Sequence, residues 1–220
     1  ATRLFFQANR FHRRRDFGRL LCDTGQLRTC LRLFLCFSLR SLLRLLFRFL
    51  LLRRFLRRSF DAALDAKGRF VLSIIGGYAA DLALSFILSS LLLIFGLDLG
   101  NSPNNVAITS ELSTDYGRIA VLSIALAPSV EEPLFRGLIF GGIRPKSRVL
   151  AYIVSAALFS LYHVWQYVIV YSDPKLLLSA LAYVPVSAAL TFCYEQTRSI
   201  WPPVFFHMFV NALSLAVLAG

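Results

Sequence analysis

Glu131, Glu132 and Arg136 stand in the stretch "APSVEEPLFRGLIFGG" (127–142), inside an apolar run long enough to cross a bilayer, where charge is costly. Glu132 and Arg136 are four residues apart, in the order that favours a glutamate–arginine pair on one helix face. Glu131 lies about 100° further round and is left without that partner. A carboxylate that lacks a cation in an apolar medium is a candidate general base or acid near neutrality. Pro128 and Pro133 flank the two acids, and a proline inside a helix frees a backbone carbonyl and bends the axis.

Two further apolar stretches carry polar groups. His163 lies in "FSLYHVW", one turn after Phe159 and on the same helix side, and His207 and Asn211 lie in "HMFVN", four apart on one face. Donors at that spacing can point at one atom, as an oxyanion site requires. Each group also has a bland reading. The three charges of 131–136 could form one internal salt-bridge network, His163 could bond a backbone carbonyl, and His207 and Asn211 could make interhelical hydrogen bonds. Together, a carboxylate, two imidazoles and a carboxamide on three separate helices suit the activation of water: Glu131 takes a proton, His163 helps hold the water, and His207 and Asn211 steady the negative oxygen. Ser129 and Ser160 have no base at a comparable spacing, so a nucleophilic serine is the weaker reading.

These residues must be positioned by membrane helices. Hydrophobic residues make up 57% of the chain and the mean hydropathy is +0.64, against roughly 45–50% apolar content in a soluble domain. Five apolar runs are expected to be helices: 71–97, marred by Asp81, then 119–143, 149–171, 176–194 and 200–219. The expected fold is all-α, a polytopic transmembrane bundle of about five spans occupying 70–220. Gly137 and Gly141 in the second run allow close helix approach.

The net charge of +12 is uneven, because residues 1–58 hold fifteen arginines against Asp16 and Asp23. Arg28, Arg32, Arg40, Arg44 and Arg48 recur at multiples of four among Leu and Phe. That pattern predicts an amphipathic helix in the headgroup layer, its arginines meeting anionic lipid, within a basic amino-terminal segment of 1–69. A transit segment, which would place the protein in an organellar membrane, is the alternative. Interleaved apolar residues argue against nucleic acid as the partner. With a cytoplasmic amino terminus the loops alternate out, in, out, in, in agreement with the basic "RPKSR" (144–148). Cys22, Cys30, Cys36 and Cys193 form no CxxC pair and read as reduced and structural.

The blocks "EEPLFRG" (131–137), "FSLYH" (159–163) and "HMFVN" (207–211) resemble, in order and in setting, the EExxxR, FxxxH and HxxxN motifs of the CAAX protease and bacteriocin-processing family, also called the Abi or type II CAAX prenyl endopeptidase family. The resemblance covers about 119–219. It implies an integral-membrane endopeptidase in which Glu131 and His163 activate water and His207 and Asn211 stabilise the oxyanion, with Glu132, Arg136 and Phe159 in support. It implies a peptide, prenylated or otherwise membrane-tethered protein as substrate. A zinc peptidase using Glu131, His163 and His207 as ligands is an alternative, against which stand the absence of an HExxH helix and the unusual ligand Asn211. A membrane adaptor or transporter-like protein with the same polar groups is the non-enzymatic rival.

Overall fold

The computed structural model describes residues 51–219 apart from 98, 100, 101 and 113. The amphipathic helix expected over 28–48, with Cys22, Cys30 and Cys36, lies outside the described residues. The chain divides into two compact units, Ala1–Phe55 and Leu56–Gly220. Of the first, residues 51–55 are described and are helical.

The second unit is built of helices, with no strand among the described residues. After a helical lead-in that ends at 65, α1 runs over Lys67–Ile94. Helix α2, Pro103–Leu112, follows. Helix α3 is continuous from Tyr116 to Ile143 but changes pitch, with α turns at Tyr116–Ala120, Ala127–Glu132 and Gly141–Ile143 and wider π turns at Val121–Leu126 and Pro133–Phe140. Helices α4 (Arg148–Tyr162) and α5 (Trp165–Tyr171) come next. A 3₁₀ stretch, Pro174–Tyr183, leads into α6, Val184–Thr197, and α7 is Trp201–Ala219.

Among the described residues three helical stretches are long and apolar enough to cross a membrane: Lys67–Ile94, Pro174–Thr197 and Trp201–Ala219. The pair α4 and α5, bent by 40°, makes a fourth if it is one span. The run expected as a span over 119–143 is helical throughout, but its two prolines and its buried charges split it into turns of different pitch. The run expected over 149–171 breaks at His163–Val164. The stretch 98–118, read from its polar composition as a loop, contains α2; its Asn, Ser and Thr residues are weak helix formers, so periodicity did not announce it.

Helix α1 packs against α6 and α7. It runs alongside α7 in the same direction, with Phe70 against Phe205 and Tyr78 against both Phe206 and Phe209. Gly77 lets α1 approach closely, since a Cβ there would collide with Cys193 Sγ and meet the Ala189 carbonyl. Cys193 is a free, buried thiol whose Sγ donates to the Ser73 carbonyl at 3.0 Å. Gly141 likewise admits the Tyr194 hydroxyl beside its backbone. The start of α7 is fixed by two hydroxyls: Ile200 N donates to Ser59 Oγ at 2.6 Å and Trp201 N to Ser199 Oγ at 3.2 Å. The central core gathers Phe135, Phe159, Ala189, Leu190, Cys193 and Phe206, and the polar groups singled out above lie at its edge.

Candidate active site

The charged pair of α3 is fully buried. Arg136 Nη1 donates to Glu132 Oε1 at 3.1 Å, and neither side chain is exposed to any degree. Arg136 Nη2 donates to both the carbonyl and the hydroxyl of Ser187 on α6, each at 3.1 Å. The guanidinium stands 4.5 Å from the Phe159 ring centroid, so the aromatic face supplies part of what water would. Losing one member of such a pair leaves the other charge buried and uncompensated, which makes Glu132 and Arg136 interdependent.

Glu132 has a second partner that its spacing in the sequence did not reveal. Its Oε1 accepts from His207 Nδ1 at 2.8 Å, tying α7 to α3. Glu132 therefore joins the ion pair to the imidazole rather than serving Arg136 alone. On the other side, His163 Nδ1 donates to the Phe159 carbonyl at 2.8 Å. His163 caps α4, so the break in the helix leaves its ring free to turn inward. The ring is sandwiched by Phe159 and Tyr183, with centroids at 4.5 Å on each side.

Both imidazoles thus commit Nδ1 to an acceptor and turn Nε2 elsewhere. His163 Nε2 lies 3.9 Å, and His207 Nε2 4.0 Å, from Glu131 Oε2. These separations exceed a hydrogen bond. Glu131 is 8% exposed, and its Oε2 has no hydrogen-bonding partner among the described residues. A neutral imidazole that donates through Nδ1 presents a lone pair at Nε2, so His163 and Glu131 face each other as acceptors. What fits between two acceptors is a group with two donors, and a water making two bonds of about 2.7–2.8 Å spans about 4 Å.

Zinc fits this spacing less well. Ligands bonded at ~2.0–2.1 Å stand roughly 3.3 Å apart around one tetrahedral ion, about 0.6–0.7 Å closer than the 3.9 and 4.0 Å between Oε2 and the two Nε2 atoms. Among the described residues no group of three His, Cys, Asp or Glu side chains is placed to hold a metal ion.

Asn211 does not reach Glu131 by any direct bond. Its Nδ2 donates to the Ser123 carbonyl at 2.7 Å. The π turn explains why that carbonyl is free. Ala127 N bonds the Leu122 carbonyl, five residues back, so the donor due to Ser123 is residue 128, and residue 128 is proline, which has none. The proline is the sequence signal that could have pointed to Ser123. Nδ2 carries a second N–H, available to the cavity that Asn211 helps to line.

That cavity, of about 640 Å³, is lined by Glu131, His163, His207 and Asn211, by Asp81 of α1, which the sequence marks as a charge in an apolar run, and by residues the sequence did not suggest, among them Asn104 and Asn105 of α2, and Tyr183. Tyr183 joins the site to the start of α2, since its hydroxyl bonds Ser102 Oγ at 2.5 Å while its ring stacks on His163.

Residues 116–213, which carry all three motifs, match the family described as type II CAAX prenyl endopeptidase Rce1-like. Over that stretch the chain is similar to the family. It is also 27% identical over 149 residues to a Bacillus subtilis (strain 168) protein named "Putative membrane peptidase YdiL", an alignment that covers 67% of this chain and 56% of that protein. The chain thus spans little more than half the length of its curated relative. No solved structure matches it. These similarities, together with the apolar helices, support a membrane protein of the CAAX-type protease kind.

Proposed function

We propose that this chain is an intramembrane endopeptidase that hydrolyses peptide bonds of membrane-associated substrates with water activated by Glu131. The observation that carries the reading is the convergence of Glu131 Oε2 and the two Nε2 atoms, at 3.9 and 4.0 Å, on the wall of one cavity.

In this reaction a water molecule donates one hydrogen to Glu131 and the other to His163 Nε2, which turns its lone pair toward the scissile carbonyl carbon. Glu131 takes the proton as the C–O bond forms, and the carbonyl π electrons move to oxygen. The free N–H of Asn211 donates to that oxygen, and His207, held through Nδ1–H by Glu132, helps to steady it. Collapse of the intermediate re-forms the carbonyl and breaks the C–N bond, and Glu131 returns its proton to the leaving amine. Arg136 keeps Glu132 in place, and Phe159 supports Arg136 and both imidazoles.

The proposal extends to the setting. The protein crosses the membrane several times with its amino terminus in the cytoplasm, where the arginines of 1–58 meet anionic lipid, and the substrate is a peptide or a prenylated or otherwise tethered protein that enters from the bilayer.

The test compares membrane peptides in cells making the wild-type chain or Glu131→Gln. Peptides cut only by the wild type, with equal amounts of both proteins in the membrane, support the reading. Full activity of Glu131→Gln would end it. Cleavage by the purified protein should survive chelation; stoichiometric zinc, lost together with activity, would replace the water-and-glutamate chemistry with a metal mechanism.

A further inference from the structure

Asp81 is the one cavity-lining acid that the proposed reaction leaves unused. It sits in the middle of α1, three residues after Tyr78, whose ring packs on Phe206 and Phe209 of α7. Since α1 and α7 run in the same direction, Asp81 lies about one turn further along, at the level of Val210, Asn211 and Ser214, which line the same cavity. A carboxylate at mid-span is costly unless its charge is met. The Ser85 hydroxyl gives it one hydrogen bond, whereas a carboxylate can accept about four. Among the described residues lining the cavity there is no lysine or arginine, and Arg136 is committed to Glu132 and Ser187. Asn105 and Gln166, whose amide oxygens accept hydrogen bonds, line the same space.

We propose that Asp81 anchors a subsite for a cationic group of the substrate, the ammonium or guanidinium of a lysine, an arginine or a free amino terminus, close to the bond that is cut. This rests on the endopeptidase reading for its meaning but not for its test. The cation supplies the counter-charge that the described residues do not place there, and an ionic hydrogen bond in a cavity of low dielectric is stronger than the same bond in water.

The experiment reads binding rather than cleavage. The full chain carrying Glu131→Gln, in nanodiscs of neutral lipid, is titrated with fluorescent peptides that differ only in lysine against acetyl-lysine, or in a free against an acetylated amino terminus. At least one cationic peptide should bind about tenfold or more tightly than its acetylated twin, and the pair that shows the difference names the source of the cation. Adding Asp81→Asn should erase the difference by weakening the cationic peptide alone, and Asp81→Glu should restore it, which a purely structural role at this position does not give. Equal binding of both twins, or a preference that persists in Asp81→Asn, would overturn the subsite. If Asp81→Asn does not assemble, loss of the preference in an assembled Asp81→Glu chain would overturn it as well. Because no turnover is read, loss of the endopeptidase reading leaves this result standing; charge-blind binding by an active enzyme sinks the subsite alone.

Discussion

Two carboxylates on neighbouring helices are treated in opposite ways. Glu195, at the end of α6, is filled: Arg144 Nε donates to Oε1 at 3.1 Å, and Arg148 Nη2 and the Tyr152 hydroxyl reach Oε2 at 2.9 and 2.8 Å. Glu131, in the middle of α3, has imidazole nitrogens on two sides and is bonded to neither. The first carboxylate spends its lone pairs on joining α6 to the start of α4 and has none left for chemistry. The second keeps Oε2 open toward a cavity. What separates a structural acid from a reactive one here is unspent hydrogen-bonding capacity, more than burial or the number of neighbours.

The sharpest way to break that contrast is Glu131→Gln, which keeps the shape and removes the base. It should lower the single-turnover rate by on the order of 10²–10⁴-fold, with a melting temperature within a degree or so of wild type; an equal loss of stability would make Glu131 a structural acid like Glu195. Glu132→Gln is expected to destabilise by about 3–5 kcal/mol, because Arg136 stays buried without its counter-charge. Wild-type unfolding of the purified protein in detergent would contradict the pairing. Asn211→Ala should reduce kcat by about 10²-fold through loss of an oxyanion donor while KM changes little. An effect on KM alone would assign Asn211 to substrate binding instead. The smallest effect belongs to Glu195→Gln: a lower melting temperature than wild type, a smaller shift than that of Glu132→Gln, and an unchanged turnover rate. A loss of turnover without a thermal shift would erase the distinction between the two acids.

The sequence shows one side of this contrast more readily than the other. Glu132 and Arg136 declare their pairing because both lie on one helix, four residues apart, where backbone geometry dictates the neighbour. The same logic marks Phe159 with His163. It is silent on the bond from His207 to Glu132, which joins residues 75 positions apart and depends on how α7 docks on α3. Asp81 could be noticed as a charge out of place in an apolar run, but its presence in the cavity follows from the close contact at Gly77 and the parallel course of α1 and α7. Helix α2 was hidden because Pro103, Asn104, Asn105, Thr109 and Ser110 lower the helix propensity of its ten residues. The break at His163 has no proline or glycine to announce it. Residues 119–143 read as one uniform span, yet the prolines that bracket Glu131 and Glu132 are what divide it.

The bond between Asn211 and the Ser123 carbonyl has one more consequence. A smooth apolar helix in lipid is nearly free to roll about its axis or slide along its neighbours, since one greasy face resembles another. Alongside the bond from His207 to Glu132, this bond acts as an index pin, helping to fix the phase and height of α7 against α3 and, with them, the aim of His207 one turn earlier. One residue inserted between His207 and Asn211 would turn the imidazole by about 100° and shift it by about 1.5 Å unless the pin gave way. The tolerance of this site is therefore set in fractions of a helical turn, and a proline that cannot donate is what leaves the hole into which the pin fits.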